Sequence, residues 1–199
     1  MVEQINDYVM GLLPGDAKEY LSSDSICADE ADPVRREEVY SVEFLNTIRA
    51  SGLPNHMIRL KVGYPVMLLR NIDPSAQLCN GTRLIVTELG EKCIQAKTIS
   101  GRNPGTKVYI PRMRLSPSDQ TKFPIRFERR QFPLTVIYAI TINKSQGQSL
   151  ANVGLYLPRP VFSHGQLYVA FSRVTSKKGL KVLIIGDDGK PTDTTTNVV

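Results

Sequence analysis

Cysteine, histidine and long apolar runs are scarce in this chain of 199 residues. Cys27, Cys79 and Cys93 are far apart and form no C-x-x-C pair, and His56 and His164 stand in no ligand spacing. We therefore expect no metal site, and we interpret the cysteines as thiols of a reducing compartment. No apolar run approaches about 20 residues and the acidic start lacks a basic leader region, so we expect no transmembrane helix, signal peptide or membrane partner.

Positive charge is in modest excess, with a formal net charge of +6, but it is unevenly placed. Residues 1–60 contain five Lys or Arg against eleven Asp or Glu, whereas residues 81–130 contain eleven against four. A basic segment of this kind suits the phosphate backbone of a nucleic acid. A solvated basic surface without a partner is the alternative, and composition alone leaves both open.

Breakers and apolar spacing divide the first sixty residues into short elements. Helical spacing predicts an amphipathic helix over residues 2–13, with Val9 and Leu12 on its apolar face and Pro14-Gly15 ending it. The remaining predictions are a strand running into a polar turn at 17–26, an acidic loop at 27–40 and a helix at about 42–50 capped by Ser41.

The middle of the chain consists of short runs with alternating or branched residues. Asn71-Ile-Asp-Pro74 predicts a turn and Asn80-Gly81 predicts a hairpin. Strands are predicted in HMIRLK, VMLLRN, RLIVTELG, CIQAKTIS and KVYIPRM. With no helical pattern between them, these strands predict a small β-barrel of roughly 55 residues.

The last third returns to long apolar runs. PLTVIYAI at 133–140, VGLYL at 153–157 and LKVLIIG at 180–186 are typical of strands buried on both faces, and FSHGQLYVAFS at 162–172 predicts a helix. Strands that alternate with helices predict a parallel sheet. The fold class is therefore α/β, with a β module inserted into the sheet domain.

The stretch TINKSQG at 141–147 resembles a phosphate loop only superficially. That loop needs G-x-x-x-x-G-K-[ST], and neither glycine precedes Lys144. Polar side chains nevertheless gather after a predicted strand, where ligands bind in parallel sheets, and the group comprises Thr141, Asn143, Lys144, Ser145, Gln146 and Gly147. A purely structural strand-to-helix turn is the alternative.

Arg173 ends the apolar segment GQLYVAFS and precedes a turn-like Thr-Ser-Lys-Lys-Gly. A guanidinium held there could reach a phosphate bound by another domain, which is the role of an arginine finger. Alternatively, Arg173 caps the C-terminus of a helix.

These motifs together resemble a known family. TINKSQGQSL is similar to motif V, and GQLYVAFSRVTSKKGL to motif VI, of superfamily 1 DNA helicases. The Pif-type (petite integration frequency) and RecD-like branch, with the helicase portions of Helitron transposons, matches best. VGYPVMLLRNIDPSAQLCNGTRLIV resembles the entry to the SH3-like insert of these enzymes, and FERRQFPLTVIYAIT resembles its exit. The resemblance covers nearly the whole chain.

The resemblance implies an incomplete second RecA-like domain at 1–61 and 119–199, interrupted by an SH3-like barrel at 62–118. It implies that Arg173 is the arginine finger and that Gln166, Tyr168 and Ser172 support it. The polar group at 141–147 would contact single-stranded DNA, although Asn143 stands where the motif usually has His. Barrel residues Arg83, Lys107 and Arg112 are candidates to guide the strand, and Tyr109, Phe123 or Phe127 to stack on bases.

The family is that of ATP-dependent DNA helicases of the 5′–3′ type, active in DNA repair and recombination. This chain has no phosphate loop, so we expect a fragment in which ATP and Mg²⁺ are held by a missing first RecA-like domain and which alone binds neither. We predict no ATPase activity for the isolated chain. The competing hypothesis is a truncated, repurposed protein that binds another protein. An intracellular location, in the nucleus or mitochondrion of a eukaryote, follows from the resemblance.

Overall fold

The computed structural model describes residues 1–27, 40–99, 101, 103–118, 123 and 125–198. Residues 3–138 form one compact unit, and the chain from Ala139 onward forms the other. No helix in the described ranges is long and apolar enough to cross a membrane. The predicted domain limits at 61/62 and 118/119 stay a prediction, and most of the acidic loop predicted at 27–40 lies outside the described residues.

The elements follow one another in short pieces. In chain order they are α1 (Val2–Leu12), β1 (Lys18–Leu21), β2 (Ser23–Ile26), α2 (Val42–Thr47), β3 (Met57–Leu60), β4 (Pro65–Leu68), β5 (Arg83–Leu89), β6 (Cys93–Thr98), β7 (Lys107–Pro111), β8 (Met113–Leu115), β9 (Phe127–Gln131), β10 (Leu134–Val136), a 3-10 turn (Ile142–Ser145), β11 (Val153–Leu157), α3 (Gln166–Phe171), a second 3-10 turn (Lys177–Gly179), β12 (Leu180–Ile185) and β13 (Pro191–Thr192).

The first unit is built on an antiparallel five-stranded sheet in the order β10-β4-β5-β6-β7. Alternation along its strands sends one set of side chains into an apolar core, which includes Val66, Leu84, Val86, Ile94 and Ile110. Four of the five strands predicted for the middle of the chain are confirmed in this sheet, whereas the fifth, HMIRLK, is β3 and pairs antiparallel with β1. Closure into an SH3-like barrel stays a prediction.

A second sheet of the first unit has the order β2-β9-β8. Its inner face packs against α2. The shared core includes Leu45 of α2, Leu115 of β8 and Phe127 of β9. Ser41 caps α2 as predicted, because its hydroxyl accepts a hydrogen bond from the backbone N–H of Phe44. α2 is shorter than the sequence predicts and ends at Thr47.

The second unit contains a three-stranded sheet in the order β11-β12-β13. β11 and β12 pair in parallel, as predicted, while β13 joins β12 antiparallel. The small core of the unit combines this sheet with α3 and includes Leu155, Leu157, Val161 and Leu167. A RecA-like identity of the sheet stays a prediction.

Four details of the sequence prediction are wrong. The run at 133–140 is no doubly buried strand of a parallel sheet, because only Leu134–Val136 forms a strand, and it pairs antiparallel with β4. β12 is not buried on both faces, because Val182 is 42% exposed on one face and Leu183 is 47% exposed on the other. Residues 17–26 form two strands rather than one, and α1 buries Asn6 and Met10 whereas Leu12 is exposed.

Candidate functional site

The polar group at 141–147 forms a tight, largely exposed loop. The 3-10 turn leaves the side chains of Thr141, Asn143, Lys144 and Gln146 in solvent. Gly147 has a φ of 73°, so it turns the chain where other residues would be strained, although a Cβ added there would meet no atom within 4 Å. The loop therefore presents one cation and several hydrogen-bonding groups together.

Ser145 differs from its neighbours because it is buried. Its hydroxyl donates to the carbonyl oxygen of Ile142 at 2.6 Å and closes the turn. In this conformation the hydroxyl holds the loop, and a phosphate would have to compete with the Ile142 carbonyl for its proton.

α3 presents the second predicted motif. Gln166 is buried, and its Oε1 accepts from the backbone N–H of Phe162 at 3.2 Å. Tyr168 is 76% exposed, with its ring outside the core. The Ser172 hydroxyl donates to the carbonyl oxygen of Val169 at 3.1 Å. Gln166 thus orders the entry to the helix, whereas Tyr168 is available to a partner.

Arg173 joins the two motifs. Its Nη1 donates to the carbonyl oxygen of Gln148 at 3.0 Å and lies 3.5 Å from that of Ser145. Its Nε donates to the carbonyl oxygen of Val169 at 2.9 Å, and Nη2 donates to the Ser172 hydroxyl at 2.8 Å. A single guanidinium therefore fixes the loop against the end of α3.

Backbone pairing supports the same junction. The N–H of Leu150 donates to the carbonyl oxygen of Arg173 at 2.8 Å, and the N–H of Thr175 donates to that of Leu150 at 3.0 Å. Leu150 and Val174 thereby form a parallel bridge. The loop and helix are therefore joined in one structural junction.

The predicted contacts in the first unit differ in availability. Arg83 and Lys107 lie on the outer face of the five-stranded sheet, and Tyr109 is 62% exposed on the same face. Arg112 donates instead to the carbonyl oxygen of Leu21 at 2.6 Å, and its guanidinium lies 4.8 Å from the ring centre of Phe132. That guanidinium already has partners inside the unit.

The two phenylalanines predicted to stack on bases differ from Tyr109. Phe127 is fully buried, so its prediction as a stacking residue is wrong. The ring of Phe123 is partly buried and packs edge-on against Phe127, with ring centres 6.0 Å apart. Tyr109 is thus the best exposed of the three predicted platforms.

Comparison with known proteins gives a consistent result. Residues 43–89 match the family described as DNA helicase Pif1, 2B domain. The ATP-dependent DNA helicase PIF1 of Xenopus laevis is 35% identical over 186 residues, 92% of this chain and 26% of that protein. The Pif1 of Bdellovibrio bacteriovorus is 34% identical over 149 residues, 74% of this chain and 32% of that protein.

Solved structures agree. A crystal structure of Pif1 helicase from Candida albicans matches with a TM-score of 0.66 and 26% identity, covering 94% of this chain and 44% of that chain. Bacteroides Pif1 bound to single-stranded DNA matches with a TM-score of 0.64 and 26% identity, covering 91% and 38%. This chain is a relative of the Pif1 DNA helicases. It spans about a quarter of the length of the Xenopus protein.

This Pif1 relative carries two further pairs of basic residues on neighbouring strands. Lys97 lies directly opposite Lys107 on neighbouring strands, and Arg114 lies opposite Arg130. Alternation in CIQAKTIS and FERRQ places Lys97 and Arg130 on outer faces, and this signal was available in the sequence. The sequence does not show that each of them pairs with a second cation, because strand register joins residues that are distant in the chain.

Holding a nucleotide and its metal requires a phosphate cradle and metal ligands. The sequence contains no phosphate loop. Within the described ranges, no group of three His, Cys, Asp or Glu side chains could hold a metal ion. Among the described residues, the guanidinium of Arg173 is the predicted catalytic group. That this chain alone binds neither ATP nor Mg²⁺ stays a prediction.

Proposed function

We propose that this chain is the part of a Pif1-type helicase, corresponding to its C-terminal region, that contacts single-stranded DNA and contributes an arginine finger. The observation that carries the proposal is the junction at Arg173, where one side chain holds both the polar loop and α3. A residue bonded to both segments can transmit a change at a nucleotide to a DNA-binding loop. In this role Arg173 would exchange its bonds to loop carbonyls for bonds to the γ-phosphate of ATP held by another domain.

The single-strand contacts in this proposal come mainly from exposed groups. Lys144 and Gln146 in the loop, Lys107 and Tyr109 of the first unit and the half-buried Arg83 supply cations and one stacking ring. Nonspecific single-strand binding combines positive groups along the backbone with aromatic stacking. Bacteroides Pif1 has been solved with single-stranded DNA, which supports the same ligand for its relative.

The chain by itself is proposed to be no ATPase. Phosphoryl transfer requires a phosphate cradle, a metal and a charge-stabilising group around one nucleotide. This chain offers the last of these, so ATP turnover with or without single-stranded DNA should equal the buffer background. Turnover that persists through purification and disappears in Arg173→Ala would overturn this part of the proposal.

Single-strand binding is tested by fluorescence anisotropy with a labelled oligonucleotide at several salt concentrations. Affinity should fall steeply as the salt concentration rises, since Lys and Arg side chains that contact phosphates release counterions from the DNA. Lys144→Ala should weaken binding roughly threefold at low salt and reduce the salt slope by about one contact.

Lys190→Ala is the matched control, because the substitution removes the same charge from an exposed position in the turn between β12 and β13 of the same unit. Equal losses in the two variants would show that only total charge matters. No salt-sensitive binding by the unmodified chain at micromolar concentration would refute the single-strand contact itself.

Protein binding is the second candidate function, and it rests on exposed apolar side chains of the second unit. Phe162 is 81% exposed and Phe171 43%, in addition to Val182 and Leu183 on β12. Such surface is typical of a face that meets another protein. The ATPase part of a Pif1 helicase, supplied separately, is the proposed occupant, and nuclease-resistant association detected by sedimentation would support it.

A further inference from the structure

The outer face of the sheet β2-β9-β8 carries a row of three donor side chains. Ser23, Arg130 and Arg114 occupy matching positions on the three strands, because Arg130 is the register partner of both Ser23 and Arg114. All three side chains are exposed. The row therefore faces solvent across the full width of this sheet.

Arg114 and Arg130 form a cross-strand pair of like charge. Residues directly opposite on antiparallel strands have Cα atoms about 5 Å apart, and like charges there are destabilising. In the part of the chain that the structure describes, the ion pairs are Lys18–Glu91, Arg49–Glu3, Arg59–Glu19 and Arg129–Asp24, so neither member of the pair has a carboxylate partner. An external anion would remove the repulsion.

The row is built on a rigid support. Arg129, next to Arg130, and Asp24, next to Ser23, form a fully buried ion pair on the inner face of the same strands. Arg129 also donates to the carbonyl oxygens of Leu45, Ile48 and Pro54. The backbone of Ser23 and Arg130 is consequently held from the inner face, which fixes the points from which the outer side chains project.

We infer that the row Ser23–Arg130–Arg114 binds the phosphate backbone of double-stranded DNA. Arginine and serine are common donors to backbone phosphates, and arginine binds them in a bidentate fashion. The outward positions of the three strands are Ser23, Ser25, Glu128, Arg130 and Arg114, and none is aromatic. Single-strand binding relies on stacking, so this face suits a duplex better. The inference goes beyond the proposed function, whose ligand is the single strand.

Glu128 gives the surface a built-in opposing charge. It lies two residues from Arg130 on the same face of β9 and is half-buried. Its carboxylate would repel phosphates next to the row. Removing its charge should therefore strengthen duplex binding, opposite to the effect of removing either arginine.

The inference is tested by anisotropy with a blunt duplex and with a single strand of equal length. Arg114→Ala combined with Arg130→Ala should lower duplex affinity about tenfold at low salt and reduce the salt slope by about two contacts. Single-strand affinity should change by less than about twofold. Glu128→Gln should raise duplex affinity severalfold.

The matched control is Arg49→Ala combined with Arg59→Ala. It removes the same charge from two exposed arginines that are already paired with Glu3 and Glu19. Absence of duplex binding by the unmodified chain, equal losses in the control, or equal losses for the single strand would each overturn the inference. If the double variant does not fold, the single variant Arg114→Gln serves for the same measurement. It should change the salt slope of duplex binding by about half as much.

Discussion

Arg129 is a cation without exposed surface, and every nitrogen of its guanidinium donates to an acceptor inside the first unit. Nε and Nη2 bind both carboxylate oxygens of Asp24, while Nη1 bonds the carbonyl oxygens of Ile48 and Pro54. A buried charge is tolerated when it is paired and fully hydrogen-bonded. At the scale of a residue, the alternation in FERRQ identifies position 129 as inward-facing. Only the fold brings it to its partner Asp24, which lies more than a hundred residues away in the chain.

Asp24→Asn is expected to lower the free energy of unfolding by roughly 3–5 kcal/mol, because it leaves the Arg129 charge buried without a counter-charge. Urea denaturation measures the change. The exposed pair Arg59–Glu19 gives the control, since Glu19→Gln should cost less than about 1 kcal/mol. Equal costs for the two variants would contradict this account.

The stability of the first unit is expected to depend on pH in the alkaline range because of Tyr64. Burial, with a smaller contribution from the neighbouring Tyr138, raises the pKa of Tyr64 to about 12 from its ordinary value of 10.0. The folded state therefore keeps a proton that the unfolded state loses, so the stabilisation is complete below pH 10 and disappears as the pH rises through about 12.

The expected loss over that window is about 2 kcal/mol, and urea melts at stepped pH measure it. Tyr64→Phe should make the dependence shallower without abolishing it, since burial also raises the pKa values of Tyr20 and Tyr138. An unchanged slope in Tyr64→Phe would show that another group titrates.

At the scale of elements, the two 3-10 turns and α3 of the second unit are too short to be stable alone. They depend on close contacts such as the one at Gly179, where a Cβ would lie 1.9 Å from the carbonyl oxygen of Ala151. The turn Lys177–Gly179 thus approaches the chain that follows the polar loop. A side chain at position 179 would force the backbone of this turn away from the backbone at Ala151.

Gly179→Ala is accordingly expected to destabilise the second unit by about 1–3 kcal/mol. Hydrogen exchange of the amides of β11 and β12 reports this unit directly. Gly154→Ala is the matched control, because Gly154 lies in β11 with no atom near the added methyl group, and its amide protection should stay nearly constant. Similar exchange in both variants would mean that the contact with Ala151 is easily relaxed.

Element prediction from this sequence succeeded where local signals were complete. Asp73 accepts bonds from the N–H groups of Ser75 and Ala76, so the turn at Asn71–Pro74 forms from local chemistry. The run at 133–140 failed because apolar content does not specify a neighbour: β10 is taken up by the first sheet, and Tyr138 packs edge-on against Tyr64 with ring centres 5.0 Å apart.

At the scale of the whole molecule, the proposed function is a division of labour between this chain and an ATPase part. Mixing the chain with the separately prepared ATPase part of a Pif1 relative, such as that of Bdellovibrio, should restore ATP turnover stimulated by single-stranded DNA. Arg173→Ala should remove at least about 100-fold of that turnover, since an arginine finger typically contributes 10³–10⁵. The measurement is steady-state phosphate release.

Arg173→Lys separates the finger from the structural junction. Lysine keeps the charge but cannot bond the carbonyl oxygens of Val169 and Gln148 together with the Ser172 hydroxyl. We expect turnover close to that of Arg173→Ala, with faster amide exchange in residues 145–150. Full turnover with lysine would show that charge alone suffices.

The motifs at 141–147 and 165–175, the alternating strands and the missing phosphate loop are properties of the sequence, because each depends on residues that are neighbours or lie at fixed spacing. They were sufficient for the family and for the order of most elements, and they named Arg173 as the candidate finger, which stays a prediction. Tertiary structure decided which of those residues are available: Ser145 and Phe127 are buried, Arg112 is engaged, and Arg114 meets Arg130. The physical reason is that burial, register and partner choice are set by contacts between distant segments, which no local pattern encodes.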